Sequence, residues 1–249
     1  MGLNLKFLSL AVVMTLGGAI SANAMTQDER DYYTISKMRI EEIDAEHGSN
    51  NIVLEKDTLT QIPYAASAAS AAGPVDPFER VGKVISIGKD LVALGEDIYR
   101  LVIKGKPSNT TSYAPISVVP RVNGQIVDIL ETENWTMPVK RTYQVVYENL
   151  YGADVATFRY SIFYSYNGSY NGTGAYLTAV QIVPEYVRTL FGFDFTATMK
   201  LGGIVNQGTK ANPVAGATII MEYTVSSVLV ANNESKTYFL NGKGYFKKY

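Results

Sequence analysis

The stretch Val155-Ala156-Thr157-Phe158-Arg159-Tyr160-Ser161-Ile162-Phe163-Tyr164-Ser165-Tyr166 decides the fold class. One alternating set, Ala156, Phe158, Tyr160, Ile162, Tyr164 and Tyr166, is wholly apolar or aromatic. The other, Val155, Thr157, Arg159, Ser161, Phe163 and Ser165, is mixed. Successive strand side chains point to opposite faces, so a period of two predicts a strand with one buried face. The period recurs on both sides. Tyr143, Val145 and Tyr147 share a face, as do Val187, Phe191, Phe193, Phe195, Ala197 and Met199. Ala217, Ile219, Met221, Tyr223, Val225 and Leu229 form a further set. Turn formers punctuate these runs at Asn123-Gly124, Tyr151-Gly152, Asn167-Gly168, Asn171-Gly172 and Asn241-Gly242. The expectation is an antiparallel β-sandwich of about eight strands over residues 107–249, in a chain that is mainly β with N-terminal helices.

An outer-membrane β-barrel has the same alternation and would turn its aromatic face to lipid. Lys243 and Lys247 share a face with Tyr249 in the final segment, which speaks against lipid there.

Upstream the period lengthens. Residues 75–106 read as a long amphipathic helix. Asp76 is placed to cap it, Pro77 takes its first position and Glu79 its third. Phe78, Val81, Ile85, Val92 and Tyr99 recur at helical spacing over 77–103 and form the candidate membrane or partner face. Gly88 and Gly95 lie on that stripe, implying a bend or a close approach. A helix ahead of a Tyr-rich sandwich resembles the actinoporin-type pore formers in architecture. No residue motif is shared, so no site residue is carried over. The alternative is a helix that covers a sandwich face.

Residues 25–74 divide into a charged segment, 26–47, and an Ala/Ser linker bounded by Pro63 and Pro74. The charged segment suits a helix capped by Thr26 or Asp28 and ended by His47-Gly48, although Tyr32-Tyr33-Thr34-Ile35 also suits a strand. A short extended stretch is expected at Ile52-Val53-Leu54. Residues 1–24 read as a signal peptide: Lys6, an apolar run from Phe7 to Leu16, and Ala22-Asn23-Ala24 as the cleavage signal. The protein is therefore expected to be secreted or periplasmic after cleavage near Ala24.

Composition narrows the chemistry. There is no Cys, and His47 is the sole histidine. Thiol catalysis, disulfide scaffolding, Cys-based zinc sites and clustered-His metal sites are excluded. Twenty-two Lys and Arg against 23 Asp and Glu give no basic excess, so nucleic acid is not an expected partner. Glu148, Asp154, Asp194 and Glu222 lie in or near strands and are read as solvated, although a carboxylate pair for hydrolysis would need only two of them. No catalytic residue, metal or cofactor is assigned.

The repeat Tyr166-Asn167-Gly168-Ser169-Tyr170-Asn171-Gly172-Thr173 places Tyr beside Asn twice. Tyr stacks and Asn hydrogen-bonds, which suits a sugar or polar partner, and Tyr166, Asn167, Tyr170 and Asn171 are the candidate ligand-binding loop. A plain hairpin connection is the competing reading. Trp135 is expected to pack over the edge of the core. The functional expectation is an exported, non-enzymatic binding or assembly protein of the cell envelope or extracellular space. Its partner would be a glycan, an envelope protein or its own copies. A membrane-interacting or pore-forming protein using helix 77–103 is the alternative.

Overall fold

A computed structural model describes residues 25–43, 84–87, 89–95, 98–104 and 115–249, with backbone alone at 84–87, 98–100 and 102–104. The expected signal peptide, the linker, Ile52-Val53-Leu54, His47, Phe78 and Val81 lie outside the described residues.

A short helix, α1 (Gln27–Tyr33), opens the described chain. Thr26 caps it and Glu29 reaches back to the Thr26 backbone, completing a capping box. The helix does not run to residue 47. Thr34 and Ile35 are β-branched, and the backbone turns extended there to form β1 (Ile35–Ile43), which pairs with β7 (Val139–Asn149).

The chain is mainly β, built as two antiparallel sheets. The first contains β2 (Val84–Ile87), β3 (Leu91–Leu94), β5 (Ile116–Val122), β8 (Asp154–Tyr170) and β9 (Thr173–Thr189). Its order is β1-β7-β8-β9-β5-β3-β2, with β6 (Gln125–Ile126) beside β5. The second sheet contains β4 (Ile98–Lys104), β10 (Asp194–Asn206), β11 (Ala215–Ser226), β12 (Ala231–Asn241) and β13 (Phe246–Lys248). Its order is β13-β12-β11-β10-β4. Both sheets are open among the described residues, and the aromatic face of β8 looks inward, not to lipid.

The expected long helix over 75–106 is corrected. Its described residues form β2, β3 and β4. Leu91, Val92, Ala93 and Leu94 are all buried, so apolar residues are needed on both faces of β3. A continuous apolar run between shorter ones mimics helical spacing. Gly95 has φ +126°, outside the helical region, and a Cβ there would stand 2.6 Å from the Pro115 carbonyl oxygen. It marks a turn and a close approach instead of a helix interior. The candidate face is dispersed accordingly. Ile85 and Val92 fall in the first sheet, Tyr99 in the second.

The alternation on β8 and β11 holds. Ala156, Phe158, Tyr160, Ile162 and Tyr164 are buried against Ala217, Ile219, Met221, Tyr223 and Val225 of the opposite sheet. The expected set over Val187–Met199 is interrupted by the turn between β9 and β10, and Phe191 is exposed there. Leu229 likewise falls in the turn between β11 and β12.

Tyrosines join the sheets. The Tyr160 hydroxyl lies 2.5 Å from that of Tyr223 and 2.5 Å from that of Tyr238. Tyr143 packs on Tyr160 and Tyr238, with ring centroids at 5.8 and 5.1 Å. Burial raises the pKa of all four. Tyr238 is pushed to about 12, and Tyr160, Tyr223 and Tyr143 go higher. Unfolded tyrosine ionises near pH 10. Above that pH the unfolded chain sheds protons that the folded core retains, so stability falls as pH rises. It is expected to be flat below about pH 9 and to decline through pH 12. Tyrosinate absorbance followed together with circular dichroism tests this. Ionisation of these four near pH 10 in a still-folded protein would contradict it.

Candidate functional site

The two ends of the paired sheets differ in chemistry. At one end β8 runs into the Asn171-Gly172 turn, with φ of 50° and 69°, and returns as β9. The first copy of the repeat is not a turn, contrary to expectation. Asn167, at φ 66°, kinks β8 without ending it, and Trp135 lies against Gly168. The Asn134 amide donates to Ser169 Oγ at 2.9 Å, and the Asn167 amide donates to the Asn134 carbonyl at 3.3 Å. The Trp135 indole N–H donates to Thr132 Oγ1 at 3.0 Å.

Tyr166, Asn167 and Tyr170 therefore share one strand, with Asn171 at its tip. Tyr166 and Tyr170 are half-buried and pack against the core, as does Trp135. The same end ties the sheets together. Asn167 N–H donates to the Gly242 carbonyl (2.8 Å), Gly242 N–H to the Ala215 carbonyl (2.7 Å), and Ala175 N–H to the Pro213 carbonyl (2.9 Å). Of the candidate loop, Asn167 is committed to this clasp through its backbone N–H.

The opposite end exposes several apolar side chains beside a helix that carries Asp28, exposed, and Glu29 and Asp31, half-buried. Three turns meet there: residues 149–153 between β7 and β8, 189–193 between β9 and β10, and 226–230 between β11 and β12. The helix α1 lies among them. Tyr32 Oη donates to the Phe191 carbonyl (3.2 Å), Tyr151 Oη to the Asp28 carbonyl (3.0 Å), and Ser227 Oγ to the Tyr33 carbonyl (2.7 Å). Tyr33 and Phe193 pack at 5.9 Å, and Met25 is buried in the same core. Phe191 is 72% exposed, Val228 63%, Leu150 55% and Tyr151 54%. Phe191, Val228 and Asp194 line a shallow depression of about 510 Å³.

This surface was missed in the sequence. Its members come from three distant turns. The usable signal was that two of the connections, Leu190-Phe191-Gly192-Phe193 and Val228-Leu229-Val230, are mostly apolar where turns are ordinarily polar.

Of the carboxylates singled out from the sequence, Glu148 and Asp154 are cross-strand partners that share Arg39, while Asp194 and Glu222 stand on neighbouring strands of the second sheet. Arg39 pairs with Glu148 and, at 3.4 Å, with Asp154, while Lys200 pairs with Glu222 at 2.7 Å. Such exposed pairs contribute about 0–1 kcal/mol each. Asp194 is the one carboxylate lining the depression. Among the described residues no cluster of three or more His, Asp or Glu is placed to hold a metal ion, and no helix is long and apolar enough to cross a membrane.

No protein-family model matches the chain, and neither does a curated protein or a solved structure.

Proposed function

We propose that this is an exported, non-enzymatic binding protein of the cell envelope or extracellular space, folded as a β-sandwich, and that it binds through its apolar end. One observation carries the reading: exposed Leu150, Tyr151, Phe191 and Val228 gather from three turns onto one end. Exposed apolar side chains are unremarkable singly, but a cluster brought together by the fold marks a contact surface. Export is supported by the signal-like residues 1–24.

The test is site-specific photo-crosslinking in producing cells. A benzophenone side chain at Phe191 is expected to give adducts, whether lipid or protein, that the same group at Asn171 on the opposite end does not. Equal yields at both positions would overturn binding through this end.

A further inference from the structure

We infer that the open half of β12 accepts an extended strand of a partner protein, laid antiparallel to it in the lane that β13 begins. The inference concerns a side of the sandwich that the reading of the apolar end does not use.

The two sheets do not end level on this side. β1 carries the first sheet one strand beyond β7. The second sheet ends on β13, which pairs only with Tyr238, Phe239 and Leu240 of β12. Tyr249 N–H then donates to the Thr237 carbonyl at 2.9 Å. Ala231 to Lys236 therefore pair with β11 on one side and, among the described residues, with no strand on the other. In a strand the N–H and C=O of one residue point to the same side, and the side alternates along the chain. Thr237 faces the lane, so Ser235, Asn233 and Ala231 face it too.

The position of β13 shows where the lane runs. Lys248 lies over the Tyr143 ring (5.3 Å) and Arg141 over the Phe246 ring (4.6 Å), so β13 stands above β7. Continued toward Ala231, the lane passes above Val145 and Tyr147. Ile40 and Met38 of β1 pair with those two residues, are half-buried, and form the outer floor. The Tyr147 hydroxyl on this floor is buried and makes no hydrogen bond.

The backbone selects a polypeptide as the occupant. Unpaired N–H and C=O groups repeating every second residue are matched by another extended backbone, a repeat that lipid and sugar chains lack. The side chains select among polypeptides. Lys236, Glu234 and Asn232 lie on the inner face with Tyr238, paired with Met221, Tyr223 and Val225. A strand running on in the sense of β13 meets Lys236 first and Glu234 two residues later. Inward residues in the order acid-x-base match this pair, and the stem of the base lies along Met38 and Ile40. The opposite order sets like charges against each other. A second copy does not fit by the same edge. The two-fold register that sets Glu234 against Lys236 lays Asn233 of the second copy against Thr237, where Tyr249 already sits. Inward charges of this kind protect an edge from indiscriminate pairing while leaving it open to a matched strand.

The experiment is hydrogen exchange on the full chain, alone and with the probe peptide acetyl-Glu-Thr-Lys-Thr-Val-Thr-amide at millimolar concentration. Its inverse, acetyl-Lys-Thr-Glu-Thr-Val-Thr-amide, is the comparison. In the protein alone the Ser235 and Asn233 amides are expected to exchange freely. The first peptide is expected to slow both by more than about fivefold, and the inverse by less. Glu234→Lys/Lys236→Glu is expected to exchange the preference between the two peptides. Ser235→Pro removes an edge amide that no described strand uses, so it is expected to melt as wild type does and to lose the protection at Asn233. Slow exchange at Ser235 and Asn233 in the protein alone would show the lane filled by this chain or by a second copy, and would overturn a partner strand. So would an absence of slowing with either peptide, equal slowing that the charge swap leaves unchanged, or protection at Asn233 that survives Ser235→Pro.

Discussion

Phe158→Ala is expected to cost about 3–5 kcal/mol, the range for removing a buried aromatic ring from a core that cannot collapse. Phe158 sits on β8 where the two sheets face each other and is fully buried. Its ring meets Phe195 at 5.0 Å, Tyr160 at 5.2 Å and Tyr223 at 6.5 Å, so it touches both sheets. Strand backbones pinned by their ladders cannot move in to fill the space. Phe163 lies on the same strand with opposite orientation, half-buried under Lys140. Phe163→Ala should cost far less, since its ring is already partly hydrated. Equilibrium denaturation by urea measures both. Equal losses would mean that Phe163 is packed as tightly on its face of β8 as Phe158 is between the sheets.

That contrast explains what was legible in the sequence. β11 buries one face, and β8 buries its Phe158, Tyr160 and Ile162 face while the other is buried only at intervals, at Val155, Ser161 and Ser165, so the period of two shows through in both. Phe158, Tyr160, Ile162, Ile219, Met221 and Tyr223 could be named as core from the chain alone. β3 could not, because Leu91 to Leu94 are buried on both faces and the alternation vanishes. With turn glycines at intervals, such a segment satisfies a helical template equally well, and the expected helix over 75–106 was the consequence. At Asn167-Gly168 local chemistry pointed to a turn. Tertiary contact overrode it: Trp135 covers Gly168, the strand continues, and the left-handed Asn167 is absorbed as a kink.

The candidate loop was legible as a cluster but not in its role. Tyr166, Asn167, Tyr170 and Asn171 are close in sequence, so any fold keeps them close in space. What their amides would bond to depended on Asn134, Trp135 and Gly242, which only the tertiary structure brings alongside. The apolar end is the converse. Leu150, Phe191 and Val228 acquire meaning only when three hairpins of one architecture end on the same side.

Gly242→Ala is expected to be among the most disruptive single substitutions in the chain, at about 3 kcal/mol or beyond, the upper part of the range for overpacking. The backbone torsions of Gly242 are not what forbids a side chain, for its φ is not in the left-handed region. The obstacle is contact. A Cβ would fall on the Ala175 carbonyl group, well inside van der Waals distance, and 2.9 Å from the Tyr176 nitrogen. These are backbone atoms, so no rotamer change relieves the overlap. Neither strand can step back freely. Gly242 is bonded to Asn167 and Ala215, and Ala175 to Pro213, so separating them strips the clasp that joins the sheets. Gly124→Ala separates steric overlap from torsional strain. Gly124 has φ +80° but nothing within 4 Å of a Cβ, so its substitution carries the torsional penalty alone, about 1–2 kcal/mol. Urea denaturation should therefore rank Gly242→Ala well below Gly124→Ala in stability. Hydrogen exchange should quicken at Gly242 and Ala175 in the first variant and not in the second. The reverse ranking would mean that the two sheets are free to separate at this end, and that the Tyr-Asn-Gly loop is open to a ligand instead of committed to the fold.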